Sequence, residues 1–128
     1  MDSRILIVDD QQSNVRLLEH TLRRAGFASI TSTTDPRAVT ALHREHHYDL
    51  ILLDLVMPGM DGFQVMEGLA EIEEGGHLPV LAMSAEPRHE VRAMQAGARD
   101  FISKPFVLTD VVTCVSSLLD KKRIADAT

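Results

Sequence analysis

Residues 49–62 read DLILLDLVMPGMDG, and the fold is decided there. Leu50, Ile51, Leu52 and Leu53 form an unbroken apolar run. Such a run suits a strand buried on both faces of a parallel sheet better than a half-exposed strand, which would alternate. It ends in a carboxylate, Asp54. Pro58 and Gly59 then break the strand, and Asp61 with Gln64 three residues on reads as the N-cap box of a helix. Asp54 therefore stands at the carboxyl end of a central strand, the end at which open parallel α/β sheets bind ligands. Taken alone, it could equally be a solvated acid at a strand end.

The same pattern repeats on either side of this stretch. Arg4 to Val8 (RILIV) is a second apolar strand, and it ends in Asp9-Asp10. Val15, Leu18, Leu22 and Ala25 follow helical spacing, with Gly26 at the expected left-handed cap. Phe27 to Thr33 reads as a weaker strand at the sheet edge. Asp35-Pro36 opens a second helix with Ala38, Val39 and Leu42 inward, ending near His46. Beyond the central strand, Phe63, Met66, Leu69 and Ile72 mark a third helix, stopped by Gly75-Gly76. Pro79 to Met83 is the fourth strand, ending in Ser84. A fourth helix starts around Glu86-Pro87, turns Val91 and Met94 inward and stops at Gly97. Asp100 to Ser103 is a short fifth strand leading to Lys104-Pro105. Leu108, Val111, Val112, Val115, Leu118 and Leu119 form the inward stripe of a fifth helix that begins at Val107. Strict alternation of strand and helix implies a doubly wound parallel sheet with right-handed crossovers and helices on both faces.

A chain of 128 residues and 14.2 kDa is expected to form one domain. Residues 1–120 would be that domain, and 121–128 either a prolongation of the last helix or a linker. The net charge of −6, without a basic stripe, argues against direct nucleic-acid binding, and the absence of Trp removes a stacking platform. A metal ion or a basic partner patch suits the charge better. The single cysteine, Cys114, excludes an internal disulfide. With neither a signal peptide nor an apolar run near 18 residues, the expectation is a cytoplasmic protein without membrane contact.

Read together, the strand ends deliver Asp9-Asp10, Asp54, Ser84 and Lys104 to one edge. Carboxylates within roughly 4–6 Å of one another repel and need a counter-charge. An all-oxygen cluster selects a hard cation, magnesium first, because it takes few protein carboxylates and completes its shell with water and phosphate oxygens. Lys104 and Ser84 supply the charge and the hydroxyl that stabilise a phosphoryl group in transfer, with Asp54 as carboxylate nucleophile.

At these residues the chain resembles a receiver domain of a bacterial two-component response regulator, over about residues 4 to 120. The matching features are Asp9-Asp10, Asp54 within LLDLVMPGMDG, Ser84-Ala85 and Lys104-Pro105-Phe106. The resemblance implies a flavodoxin-like sheet of order 2-1-3-4-5. Asp54 would accept a phosphoryl group from a histidine kinase or a histidine phosphotransfer protein. Mg2+, or Mn2+ in its place, would be held by Asp10, Asp54 and the backbone carbonyl of Val56, with Asp9 assisting through water. Lys104 would contact the acyl phosphate, Ser84 would move to meet it, and Phe101 would be the aromatic switch. The Lys104-Pro105 bond would be cis. The face of helix four, strand five and helix five would pass the signal to an output domain or partner protein, and could pair two copies as a homodimer. Free substrate would not be turned over, apart from slow loss of the chain's own phosphate.

Some positions depart from the usual pattern. Ser84 stands where many relatives have threonine, Phe101 replaces the commoner tyrosine, and helix five lacks a good cap. Val56 and Glu86, two residues beyond Asp54 and Ser84, would flank the water that removes the phosphate. A phosphatase resembling the haloacid-dehalogenase group is the rival reading. Its nucleophile opens an Asp-x-Asp motif, whereas here the third position is Val56, which cannot protonate a leaving group. A receiver-like scaffold that is never phosphorylated is a further alternative. Singly, Asp9 or Asp10 could cap helix one, Ser84 could cap helix four, and Lys104 could be a surface charge. Met57 and Met60 read as turn and packing residues, and Cys114 as a partly buried filler. His43, His46 and His47 resemble a metal cluster but lack a further ligand nearby.

Overall fold

The computed structural model describes residues 3–73 and 78–127. Strands β1 (Arg4–Val8), β2 (Ser29–Thr33), β3 (Leu50–Asp54), β4 (Val80–Ser84) and β5 (Asp100–Ser103) form one parallel sheet of order β2-β1-β3-β4-β5. They alternate with helices α1 (Gln12–Arg24), α2 (Val39–His46), α3 (Gly62–Ile72), α4 (His89–Gln95) and α5 (Leu108–Ala127). The fold class and the strand order are those expected.

Every residue of β3 is buried, and its side chains alternate between two cores. Ile51 and Leu53 join Leu6, Val8 and Ala82 beneath the stripe of α3, Phe63, Met66 and Leu69. Leu50 and Leu52 join Ile5, Ile7 and Met83 against Val15, Leu18 and Leu22 of α1 and Val111, Val115 and Leu118 of α5. An unbroken apolar run is thus what a strand between two helical layers requires. At about 1.5–3 kcal/mol for each large side chain fully removed from water, this layered burial is the main stabilising term. The edge strand β2 is half-buried except at Thr31, which is exposed.

The punctuation of the chain performs as its chemistry dictates. Asp61 accepts from the Gln64 amide at 2.9 Å while Gln64 accepts from the Asp61 amide at 3.0 Å, closing the capping box of α3. Gly26 has φ +103°, a left-handed conformation at the end of α1. Asp35 caps a single 3₁₀ turn over Pro36–Ala38, and α2 proper starts only at Val39. The Gly75-Gly76 stop lies outside the described residues. Met57 is buried, and Met60 and Ile72 pack against the same core. Lys104-Pro105 is cis.

Several expectations need correction. β2 is shorter than Phe27–Thr33, β4 starts at Val80, and α5 starts at Leu108. Ala25 is the exposed C-cap of α1 rather than part of its stripe, and Leu108 is 37% exposed. α4 starts at His89, not at Glu86-Pro87. Val91 and Met94 face solvent, at 66% and 44% exposure, and the buried residue of α4 is Ala93. The turn before α4 sets its rotation, and residues two before and one after an inward position lie on other faces of a helix. Beyond Asp120 the chain stays helical to Ala127, with Lys122 reaching Asp49 at 3.4 Å and Asp126 at 2.7 Å.

Gly62 is the tightest glycine position among the described residues. A Cβ there would sit 2.6 Å from the Asp54 carbonyl oxygen and 2.7 Å from Leu55 Cα, because the start of α3 presses on the end of β3. Gly62→Ala is expected to destabilise by about 1–3 kcal/mol through forced displacement of backbone. Gly97→Ala, at φ +107° but with nothing within 4 Å, should cost about 1–2 kcal/mol from backbone conformation alone. Urea unfolding of both variants checks this; a neutral Gly62→Ala would contradict the close approach.

Candidate functional site

β1 and β3 are neighbours, with Val8 in register with Leu53, so the next residues, Asp9 and Asp54, emerge side by side at the carboxyl edge. Both carboxylates are buried, at 0% and 2% exposure. Lys104 follows β5 and reaches across β4, placing Nζ 3.0 Å from Asp9 Oδ2 and 3.2 Å from Asp54 Oδ2. Asp10 is half-buried beside them, and one oxygen from each of Asp9, Asp10 and Asp54 lies within 4.8 Å of the others. A cleft of about 680 Å³ opens over the group, lined by Asp10, Asn14, Asp54, Val56, Ser84 and Lys104 among others.

The two buried acids are held differently. Asp9 Oδ1 accepts from the Gln11 amide at 2.9 Å, and Oδ2 accepts from Asn14 Nδ2 at 3.2 Å as well as from Lys104. Both of its oxygens therefore have protein partners. Asp54 Oδ1 accepts from the Val56 amide at 3.2 Å. Burial pushes the Asp54 carboxyl up to about 6. The Lys104 charge opposes that rise, the Asp9 charge adds to it, and the Val56 N–H opposes it. Burial works against the Lys104 charge too, yet its bonds to the two aspartates hold its pKa above the ordinary lysine value.

Three carboxylates against one ammonium leave the cluster electronegative, and every donor atom in it is oxygen. This donor set fits a hard divalent cation such as Mg2+. Asp10 and Asp54 both line the cleft, and Val56, whose amide holds Asp54, lies there with them.

Ser84 ends β4 and is 1% exposed. It accepts from the Glu86 amide at 3.0 Å and lies 2.8 Å from His89 Nδ1. Phe101, on β5, is half-buried against the α3-side core. His89 and Asn14 are not legible in the sequence, since neither carries a motif of its own and each reaches the site from a first helical turn. His43 has no vacancy for a metal. Its Nδ1 accepts from the Tyr48 amide at 3.1 Å, so Nε2 carries the proton donated to Glu73 at 2.9 Å. Cys114 is half-buried, and burial together with Asp100 pushes its thiol up to about 11, away from reactivity.

A family model described as response regulator receiver domain matches residues 5–116. The response regulator PleD of Caulobacter vibrioides is 38% identical over 128 residues, covering 98% of this chain and 28% of PleD. The polar-differentiation response regulator DivK of Brucella ovis is 33% identical, covering 93% of this chain and 98% of DivK. The chain thus spans under a third of one such relative and nearly the whole of another. Among solved structures, the chemotaxis protein CheY4 of Vibrio cholerae superposes with a TM-score of 0.84 at 25% identity, over 92% of this chain and 99% of that one.

The raised Asp54 pKa has a consequence for stability. Between its ordinary value of 3.8 and about 6, the folded chain keeps a proton that the unfolded chain releases. Stability from this group is therefore full at low pH and falls as pH rises through the folded value. At neutral pH the ionised Asp54 opposes folding by about 2–3 kcal/mol. In chelator, Asp54→Asn is expected to unfold at higher urea at neutral pH, by about 1–3 kcal/mol, and to lose that advantage near pH 4. Equal stability of the two proteins at neutral pH would rule out a strained carboxylate.

Proposed function

The chain belongs to the response regulator receiver domain family, whose role is phosphorylation-based signalling, and on that premise we propose that Asp54 is its phosphoacceptor, served by a histidine kinase or histidine phosphotransfer protein. The observation that carries this reading is the buried Asp54 carboxylate, bonded to Lys104 and open to a cleft on its other side. An Asp54 oxygen attacks phosphorus, the P–O bond forms as the P–N bond to the donor histidine breaks, and the leaving nitrogen keeps the electron pair and takes up a proton. Lys104 stabilises charge on the phosphoryl oxygens, and the Ser84 hydroxyl donates to one of them.

Asp10, Asp54 and the Val56 carbonyl are the ligands we assign to Mg2+, with Asp9 acting through water. The ion supplies neutralisation of charge that builds on the transferring oxygens. Mn2+, with the same preference for oxygen, can replace it. The rival phosphatase reading is disfavoured by Val56, which is 58% exposed at the cleft and carries no acid.

The phosphoryl group adds charge and acceptor oxygens that only the modified state can use, so it shifts populations toward that state. We assign the readout to α4, β5 and α5, with Phe101 as the aromatic switch. Exposed Val91 and Met94 on α4, and Val107 just before α5, support a contact with an output domain, a partner protein or a second copy. Residues 1–120 are read as the receiver unit and 121–127 as a helical extension of α5. No helix among the described residues is long and apolar enough to cross a membrane, in keeping with a proposed cytoplasmic site.

Incubation with acetyl phosphate and Mg2+ should add one phosphoryl group by intact mass, and Asp54→Asn should abolish the gain. A full gain in the variant would reject Asp54 as acceptor.

The phosphate should be long-lived. Val56 cannot orient water, and both Glu86 oxygens are held by Arg88, through its amide at 3.2 Å, Nε at 3.0 Å and Nη2 at 3.4 Å. Val56→Asn is expected to speed phosphate loss about two- to ten-fold, the worth of one hydrogen bond to the attacking water. Timed phosphate release at fixed Mg2+ checks this, and an unchanged or slower rate would mean Val56 does not control access.

A further inference from the structure

We infer that His89 is a positioning residue for Ser84, holding the only proton of its hydroxyl away from the phosphoryl site until Asp54 is modified. The inference rests on the receiver chemistry proposed above and adds a residue to it.

A serine hydroxyl has one proton to donate and two lone pairs to accept with. The Glu86 amide, 3.0 Å away, is an obligate donor and occupies one lone pair. The remaining contact of the hydroxyl is His89 Nδ1 at 2.8 Å. Ser84 is 1% exposed, so its proton requires a partner within the protein. If Nδ1 carried a hydrogen, Ser84 would accept two bonds and its own proton would have no acceptor. The balanced arrangement has Ser84 donating to an unprotonated Nδ1, with the imidazole proton on Nε2. The proton that Ser84 would give a phosphoryl oxygen is therefore committed to His89. Donation to a phosphoryl oxygen and donation to His89 exclude each other.

His89 is also the first residue of α4, so the exchange reaches beyond the site. Its ring meets Phe63 edge-on at 5.7 Å, and Arg92 Cζ lies 3.8 Å from the centre of the same Phe63 ring. α4 has seven residues, no side-chain N-cap bond, and Ala93 as its buried residue. The Ser84–His89 bond is thus one of few ties between the start of α4 and the sheet. Recruiting Ser84 to the phosphoryl group releases that tie.

Fluoroberyllate with Mg2+, titrated by amide NMR, is the probe for the modified state. His89→Phe keeps an aromatic ring against Phe63 but removes the acceptor. It should tighten fluoroberyllate binding about five-fold, the worth of one hydrogen bond no longer given up. His89→Asn, which restores an acceptor near the Nδ1 position, should bring affinity back toward wild type. In a Ser84→Ala background His89→Phe should change nothing. In the wild-type chain, imidazole nitrogen spectra should report an unprotonated Nδ1 when free and a changed signal when fluoroberyllate is bound. Unchanged or weaker binding by His89→Phe, or a protonated Nδ1 in the free chain, overturns the role of His89 while leaving Asp54 chemistry intact. A wild-type chain that neither binds fluoroberyllate nor gains phosphoryl mass overturns the receiver reading, and the inference with it.

Discussion

The ammonium of Lys104 lies between two buried carboxylates, and the carboxyl edge of the sheet depends on it. Asp9 and Asp54 are brought together by the β1–β3 pairing, and neither can escape to water. At the few-ångström separation of the cluster, two such charges repel by about 3–4 kcal/mol at an effective dielectric of 20. One lysine bonded to both offsets much of this, at 3.0 and 3.2 Å. It leaves Asp10 uncompensated, and it leaves Asp54 with a pKa raised to about 6. An edge built this way is poised for more positive charge from a cation, and for an electrophile that takes up the strained carboxylate.

Most of this edge was legible in the sequence. In an alternating parallel fold every strand ends at the same side, so a polar residue following an apolar strand has its location fixed by topology alone. Asp9, Asp10, Asp54, Ser84 and Lys104 could be assembled on that rule without any side-chain geometry. His89 could not. Its bond to Ser84 depends on a turn of four residues, Ala85 to Arg88, whose path no periodicity encodes. The same turn fixes the rotation of α4, and this is why Val91 and Met94 point to solvent while Ala93 points in. A helix of seven residues is too short for its own apolar pattern to overrule its entry.

His43 and His89 show how little residue type alone decides. His43 sits in a closed arrangement, with the Tyr48 amide on one nitrogen and Glu73 on the other, tying the end of α2 to the residue that follows α3. His47 beside it takes a left-handed conformation, φ 53°, which ends the helix and turns the chain into Tyr48 and β3. These are fixed joints of the scaffold. His89 instead shares a hydroxyl that has a second proposed use. The difference lies in the partner rather than in the imidazole.

How far such a site can drive the fold follows from which contacts are new. Shifting a two-state equilibrium from 1:99 to 99:1 takes about 5.5 kcal/mol of differential interaction. A hydrogen bond to a charged group is worth about 1.5–3 kcal/mol. On the proposed reading, the phosphoryl group gains bonds from Lys104 and Ser84, but Lys104 already bonds Asp9 and Asp54, and Ser84 already bonds His89. Each gain is an exchange, so its net value is smaller than the bond itself. The cores on both faces of the sheet are too well packed to yield to such a difference. α4, with Ala93 as its buried anchor, is not. The energy available from the site thus matches the lightest element next to it. Complete commitment to one state requires a further differential contact, which a partner that binds α4 more tightly in one state than in the other would supply.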